Sequence, residues 1–183
     1  MIITWQVALR IALLLVAGTV LQLAFFAELP LLGSTPDVLP VLAVALGLLG
    51  GGVIGAVCGF ALGLLTDSVL LQTLGVSSIV LLTVGYLAGR WRESFDITSA
   101  LVPPLLAAAL TMLGAATFAA IQLMLGVEAP VSLLVLREIL VKALLAGLLM
   151  VPVYPLVRRI LRPALVEDTG RRRRASLAPI RAA

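Results

Sequence analysis

The chain has 183 residues, of which 62% are apolar and 12% charged, with mean hydropathy +1.20 and a formal net charge of +4. Soluble domains are about half apolar and about a quarter charged, so a water-soluble fold is excluded and a polytopic helical membrane protein is expected. His is absent and Cys58 is the single cysteine, which removes the commonest general base and metal ligand and any intrachain disulfide, so no catalytic residue, bound metal or cofactor is expected.

Six apolar segments follow in order: about Thr4 to Ala27, Asp37 to Leu49, Gly51 to Leu71, Gly75 to Arg90, Ala100 to Leu125 and Ser132 to Val157. They predict one transmembrane helical domain over residues 1–162 and a basic flexible cytoplasmic tail over 163–183. The opening MIITWQ lacks the basic start of a cleaved leader, and the run behind it is too long for one. The first span is therefore expected to be retained. Turn chemistry separates the segments, as in ELPLLGSTPD, Gly50-Gly51-Gly52, LQTLG, RWRESFD and GVEAP.

The second segment is short. About 13 residues give ~20 Å of helix, against the ~30 Å of a hydrocarbon core. A re-entrant segment would leave five spans. Six are preferred, because Arg10, early in span one, can then snorkel to the same surface as the other cations.

Span three carries a ladder. Gly51, Gly55, Gly59 and Gly63 recur every fourth residue, and the next step lands on Asp67. Positions four apart advance ~40° around a helix, so the glycines form one smooth, slanting groove. Small residues let membrane helices approach closely. Gly85 and Gly89 on span four, and AAALTMLGAATFAA on span five, offer similar surfaces. Packing within the bundle is the plainer reading of the groove; docking of another protein's helix is the sharper one.

Five ionisable residues lie inside spans: Arg10, Asp67, Arg137, Glu138 and Lys142. Such residues are costly in hydrocarbon and face a partner or a cavity. Asp67 sits about one turn below the end of span three, ~6 Å, and Arg137 and Glu138 start span six at similar depth. Glu138 precedes Lys142 by four, the favourable order for a helical pair. The four-residue set Asp67, Arg137, Glu138 and Lys142 has zero net charge and is expected to lock span three to span six, with Asp67 against Arg137. Contact with a partner helix or lipid head group, and a transport site, are the alternatives. Ser77, Ser78 and Ser132 sit in no nucleophile motif.

Orientation follows from the cations. Arg90 and Arg92 follow span four. Arg158, Arg159, Arg162, Arg171, Arg172, Arg173, Arg174 and Arg181 follow span six. The loops at the other end carry Glu28, Asp37 and Glu128 and no Lys or Arg. Positive residues stay cytoplasmic, which places both termini inside. The run Arg171 to Arg174 lacks helical periodicity after Pro163 and suits anionic lipid, at ~1 kcal/mol per basic residue near the surface, or a cytoplasmic partner.

The ordered set STPDVLPVLAVALGLLGG, GAVCGFALGLLTD and LGVSSIVLLTVGYLAGRWR resembles the MreD family, the rod-shape-determining membrane proteins of bacteria. Pro36 and Asp37 match its proline–acid pair, and Gly55, Gly59, Gly63 and Asp67 match its glycine-spaced, acid-ended span. Leu74 and Gly75 match its turn; Gly85, Tyr86 and Gly89 match its glycine-aromatic exit. The resemblance implies an all-α bundle of about six transmembrane helices, similar to the substrate-binding components of energy-coupling-factor transporters. It also implies a non-enzymatic inner-membrane scaffold of the elongation complex, with MreC as first partner and RodA, a class B penicillin-binding transpeptidase and MreB as complex members. Anionic lipid is a further contact, and no nucleic acid is implied. The alternative is a vitamin-type substrate-binding transport component, for which Ala8 and Ala12 offer a small-residue docking spacing on span one.

Overall fold

Each expected span is a helix in the computed structural model, which describes residues 5–26, 35–70, 75–94, 101–126 and 133–177. The helices are α1 (Trp5–Leu21), extended by a π-helical turn over Gln22–Phe26, then α2 (Val38–Gly50), α3 (Gly52–Leu70), α4 (Val76–Ser94), α5 (Val102–Met124) and α6 (Leu133–Leu177). Among the described residues, four apolar stretches are long enough to cross a membrane: Val7–Phe25, Gly52–Leu70, Val102–Met124 and Leu136–Leu161. The protein is an all-α, multi-pass membrane protein.

The short second segment lies at the centre of the bundle. Every residue of α2 from Val38 to Leu49 is buried, and α2 packs against α1, α3, α4, α5 and α6. A helix surrounded by protein shows no backbone to lipid, so its length does not have to match the hydrocarbon thickness. This is why 13 residues suffice. Its uninterrupted Val, Leu, Ala and Gly run is that of a helix apolar on all sides.

The glycine ladder meets α4. A methyl group on Gly55 would collide with the Gly85 carbonyl, on Gly59 with the Leu81 carbonyl, and on Gly63 with the Ser78 backbone; Gly89 is equally tight against Gly51. The numbers rise on one helix as they fall on the other, so α3 and α4 run antiparallel with their backbones in contact. Gly47 of α2 adds a third backbone against Gly85. Tyr86 points away from this contact and is exposed.

Arg10, Arg90, Arg92, Arg158 and Arg159 gather at one end. Arg10 of α1 donates to the Ile160 carbonyl of α6 at 3.4 Å, and Arg92 of α4 donates to the Leu49 carbonyl at the end of α2. Gly51, in the left-handed region at φ +94°, ends α2 and turns the chain into α3. The Gly52 N–H donates to Glu93 Oε1 at 3.0 Å, and Glu93 pairs with Arg90 at 3.0 Å. The start of α1 and the exposed Arg158 and Arg159 thus share an end with Arg90 and Arg92.

Beyond residue 162, where the basic tail is expected to begin, α6 continues as a helix to Leu177. Ala, Leu, Glu and Arg behind Pro163 are good helix formers. The side chains of Arg171, Arg172, Arg173 and Arg174 lie outside what the structure describes.

Two outcomes are expected. Gly59→Ala should lower the detergent melting temperature by the equivalent of ~1–3 kcal/mol, the usual cost of overfilling a tight contact. Gly147→Ala should cost less, because the nearest atom to its new methyl is at 3.2 Å; equal losses would show that the α3–α4 contact yields freely. The second concerns acid. The Gly52 N–H, and then Arg90, hold the Glu93 carboxyl below its ordinary value. Its contribution is therefore complete above the ordinary carboxylate range and is lost as pH falls through the depressed value. Melting temperature should fall more on acidification in the wild type than in Glu93→Gln.

Candidate functional site

The end opposite the arginines holds a cavity of about 520 Å³. It sits at the N-terminus of α2, where Asp37, Leu39 and Pro40 form part of its wall. The taller neighbours supply the rest: Gln22 and Leu23 after α1, Thr66 and Leu70 of α3, the first turns of α4, Gly114 to Ala119 of α5, and Glu138 to Lys142 of α6. The short central helix thus explains the space: its neighbours continue past the point where it starts.

The start of α2 is tied down completely. Gln22 Nε2 donates to the Pro36 carbonyl at 3.1 Å, while its Oε1 accepts the Val38 N–H at 2.7 Å. Asp37 Oδ1 caps the helix by accepting the Leu39 N–H at 3.1 Å. Pro40 has no N–H to satisfy. The donors that usually make a helix N-terminus an anion site are therefore already engaged. Pro36 is fully buried beneath them. Nothing in the sequence reading singled out Gln22; a lone amide in an apolar span, on a π-helical turn of the kind common at functional sites, was the signal available.

Charge enters from α6. Lys142 Nζ and Glu138 Oε1 are 2.8 Å apart, with side-chain exposures of 28% and 47%. Lys142 and Asp37 line the same cavity. Thr35, Thr66, Ser77 and Thr111 add hydroxyls to the lining. Thr66 donates to the Leu62 carbonyl four residues back at 2.8 Å, the usual way a helical hydroxyl is satisfied. Thr111, in the cavity wall, is buried with no hydrogen-bond partner for its hydroxyl among the described residues, and so is Ser78 behind Gly63.

Asp67 corrects an expectation. It is 1% exposed and belongs to the α3–α4 contact: its Oδ2 accepts the Gly75 N–H at 2.8 Å, and its Oδ1 has no partner among the described residues. Gly75 has φ +102°, a conformation that favours glycine, and leads directly into α4. The carboxylate thus anchors the first turn of α4, where negative charge is favoured. Arg137 is not its partner. It is exposed on α6, and among the described residues α3 and α6 share no close backbone approach, whereas α2 packs against both. The expected four-residue cluster is therefore the single pair Glu138–Lys142, with Asp67 and Arg137 apart.

Asp67→Ala should lose the anchor and ~1–3 kcal/mol of stability, whereas Asp67→Asn keeps an acceptor for Gly75 and should lose less. Arg137→Ala should change melting temperature little, within ~0.5 kcal/mol for an exposed side chain. Exchanging the two charges should give no recovery. Thermal melts in detergent of these variants check all three; recovery in the exchange would restore the pair.

No curated protein and no solved structure matches the chain, so the likeness to transporter substrate-binding components rests on the sequence resemblance alone. A family model described as rod shape-determining protein MreD matches residues 1–160. That span takes in the glycine contact, the Asp67 anchor, the clamped start of α2 and the cavity. The chain belongs to the MreD family of rod shape-determining proteins.

Proposed function

We propose that this protein is a non-enzymatic integral scaffold of the bacterial cell-elongation complex. It binds MreC, and so helps couple MreB filaments to peptidoglycan synthesis by RodA and a class B penicillin-binding transpeptidase. The observation that carries this reading is the family match over residues 1–160. On it, the arginine-rich end faces the cytoplasm of the inner membrane, in keeping with the positive-inside rule. The helical extension of α6 then leaves the membrane on the side of the MreB filaments, where its arginines suit anionic lipid or a cytoplasmic partner.

The α3–α4 glycines are covered by each other and offer nothing to a partner helix. The docking face is therefore sought on the outward sides of α1, α5 and α6. On α6, Leu136, Leu140, Leu144 and Leu148 are exposed at a spacing of four, a continuous apolar ridge for the single span of MreC. The cavity supports one alternative, the substrate-binding component of a vitamin-type transporter.

Co-purification from membranes of the same bacterium should recover MreC with this protein, and Leu140→Trp with Leu144→Trp should reduce the recovery without reducing protein level. Depletion should round the cells. Rod cells that keep their shape on depletion would overturn the scaffold reading, and a vitamin retained through purification would favour the transporter.

A further inference from the structure

We infer that the cavity above α2 binds an amphiphilic ligand whose polar end is an ammonium group. Its volume of about 520 Å³ falls within the ~300–1,000 Å³ of small-molecule sites. The wall also has their composition: an apolar body with a few polar groups. Val80, Val84, Phe118 and Ile139 supply hydrophobic surface, and Asp37, Glu138, Lys142 and Thr111 supply the polar points.

Charge selects the ligand. Two carboxyl groups, Asp37 and Glu138, share the lining with one ammonium, Lys142, which pairs with Glu138 at 2.8 Å and leaves Asp37 with no cation in contact among the described residues. Charge in such a place is stabilised by an opposite charge nearby. Asp37 has an oxygen to give: Oδ1 holds the Leu39 N–H, and Oδ2 has no partner among the described residues. An anion is disfavoured, because the N–H groups at the start of α2 already bond Gln22 and Asp37. A multidentate metal ion is disfavoured too, since no group of three His, Cys, Asp or Glu converges among the described residues. An organic cation with an apolar body satisfies both halves of the wall. Phe118 adds a ring face, to which cations are attracted.

An ammonium of this kind has two sources: a free small amine, or the ethanolamine head group of a membrane lipid. The site is independent of the scaffold reading, because it is measured on the purified full-length chain without partners. The probe is 2-phenylethylammonium, with 2-phenylethanol and phenylacetate as neutral and anionic matches of the same shape, read by melting temperature and titration calorimetry in detergent. The ammonium should bind saturably and raise the melting temperature; the alcohol and the acid should not. Asp37→Asn keeps a good helix cap and removes the charge. It should weaken ammonium binding about tenfold or more, the worth of one charged hydrogen bond, while leaving the ligand-free melting temperature near wild type. Ala119→Phe, which fills the cavity from α5, should abolish binding. In nanodiscs of equal anionic-lipid content, weaker apparent binding with phosphatidylethanolamine than with phosphatidylcholine, whose head group has no N–H to donate, identifies the lipid source, and equal binding identifies the free amine. No saturable binding, equal effects of alcohol and ammonium, or an unchanged affinity in Asp37→Asn would each overturn the proposal.

Discussion

The architecture depends on one contact: the backbone of α3 against that of α4 along Gly55, Gly59, Gly63, Gly85 and Gly89. Between membrane helices there is no water to expel, so association relies on dispersion and on how closely two surfaces fit. Removing the side chains on both faces brings many backbone atoms to contact distance at once. The close approach also fixes register. With Gly63 against Ser78 and Gly89 against Gly51, the two ends of the hairpin are determined, and Asp67 meets the Gly75 N–H at one of them. The ladder and its terminal carboxylate are thus parts of a single device.

A tight α3–α4 hairpin makes a central helix possible. Gly47 lets α2 settle against Gly85 and Gly55, and α5 and α6 close around its other side. Once enclosed, α2 is released from the length requirement that lipid imposes on its neighbours. Its two ends then differ. At the basic end Arg92 and the Gly51 turn finish the helix, whereas at the far end Gln22 and Asp37 finish it below the tops of the other helices. The first end is closed by protein, and the second leaves a cavity.

Much of this was legible in the sequence. The first five helices fall within a few residues of the apolar runs, and α6 starts where its run starts but continues to Leu177, because membrane insertion demands long apolar segments while a helix can continue beyond them. The ladder's slope and the Glu138–Lys142 pair also follow from spacing alone, being properties of a single helix. What failed was pairing between helices. Asp67 and Arg137 match in depth and charge, but depth says nothing about which helices touch, and α2 packs against both of theirs. Gln22 was missed for the same reason: its worth lies in reaching Pro36 and Val38 across a connection. The cavity is a difference in length among packed helices, so it becomes visible only when the bundle is assembled.

The two ends of the bundle also suggest how the parts divide the work. Rigid packing concentrates where glycine brings α3, α4 and α2 together, while the outward sides of α1, α5 and α6 stay apolar and exposed. The proposed scaffold role needs both properties. A partner helix gains orientation only from a surface that does not deform, and gains contact only from a surface not already used. Glycine marks the closest backbone contacts, beside an interior filled by residues such as Leu46, Leu48 and Leu62, whereas Leu140, Leu144 and Leu148 stay on an uncovered face. In lipid, large side chains lose nothing by remaining outside, and the glycines gain most by being enclosed.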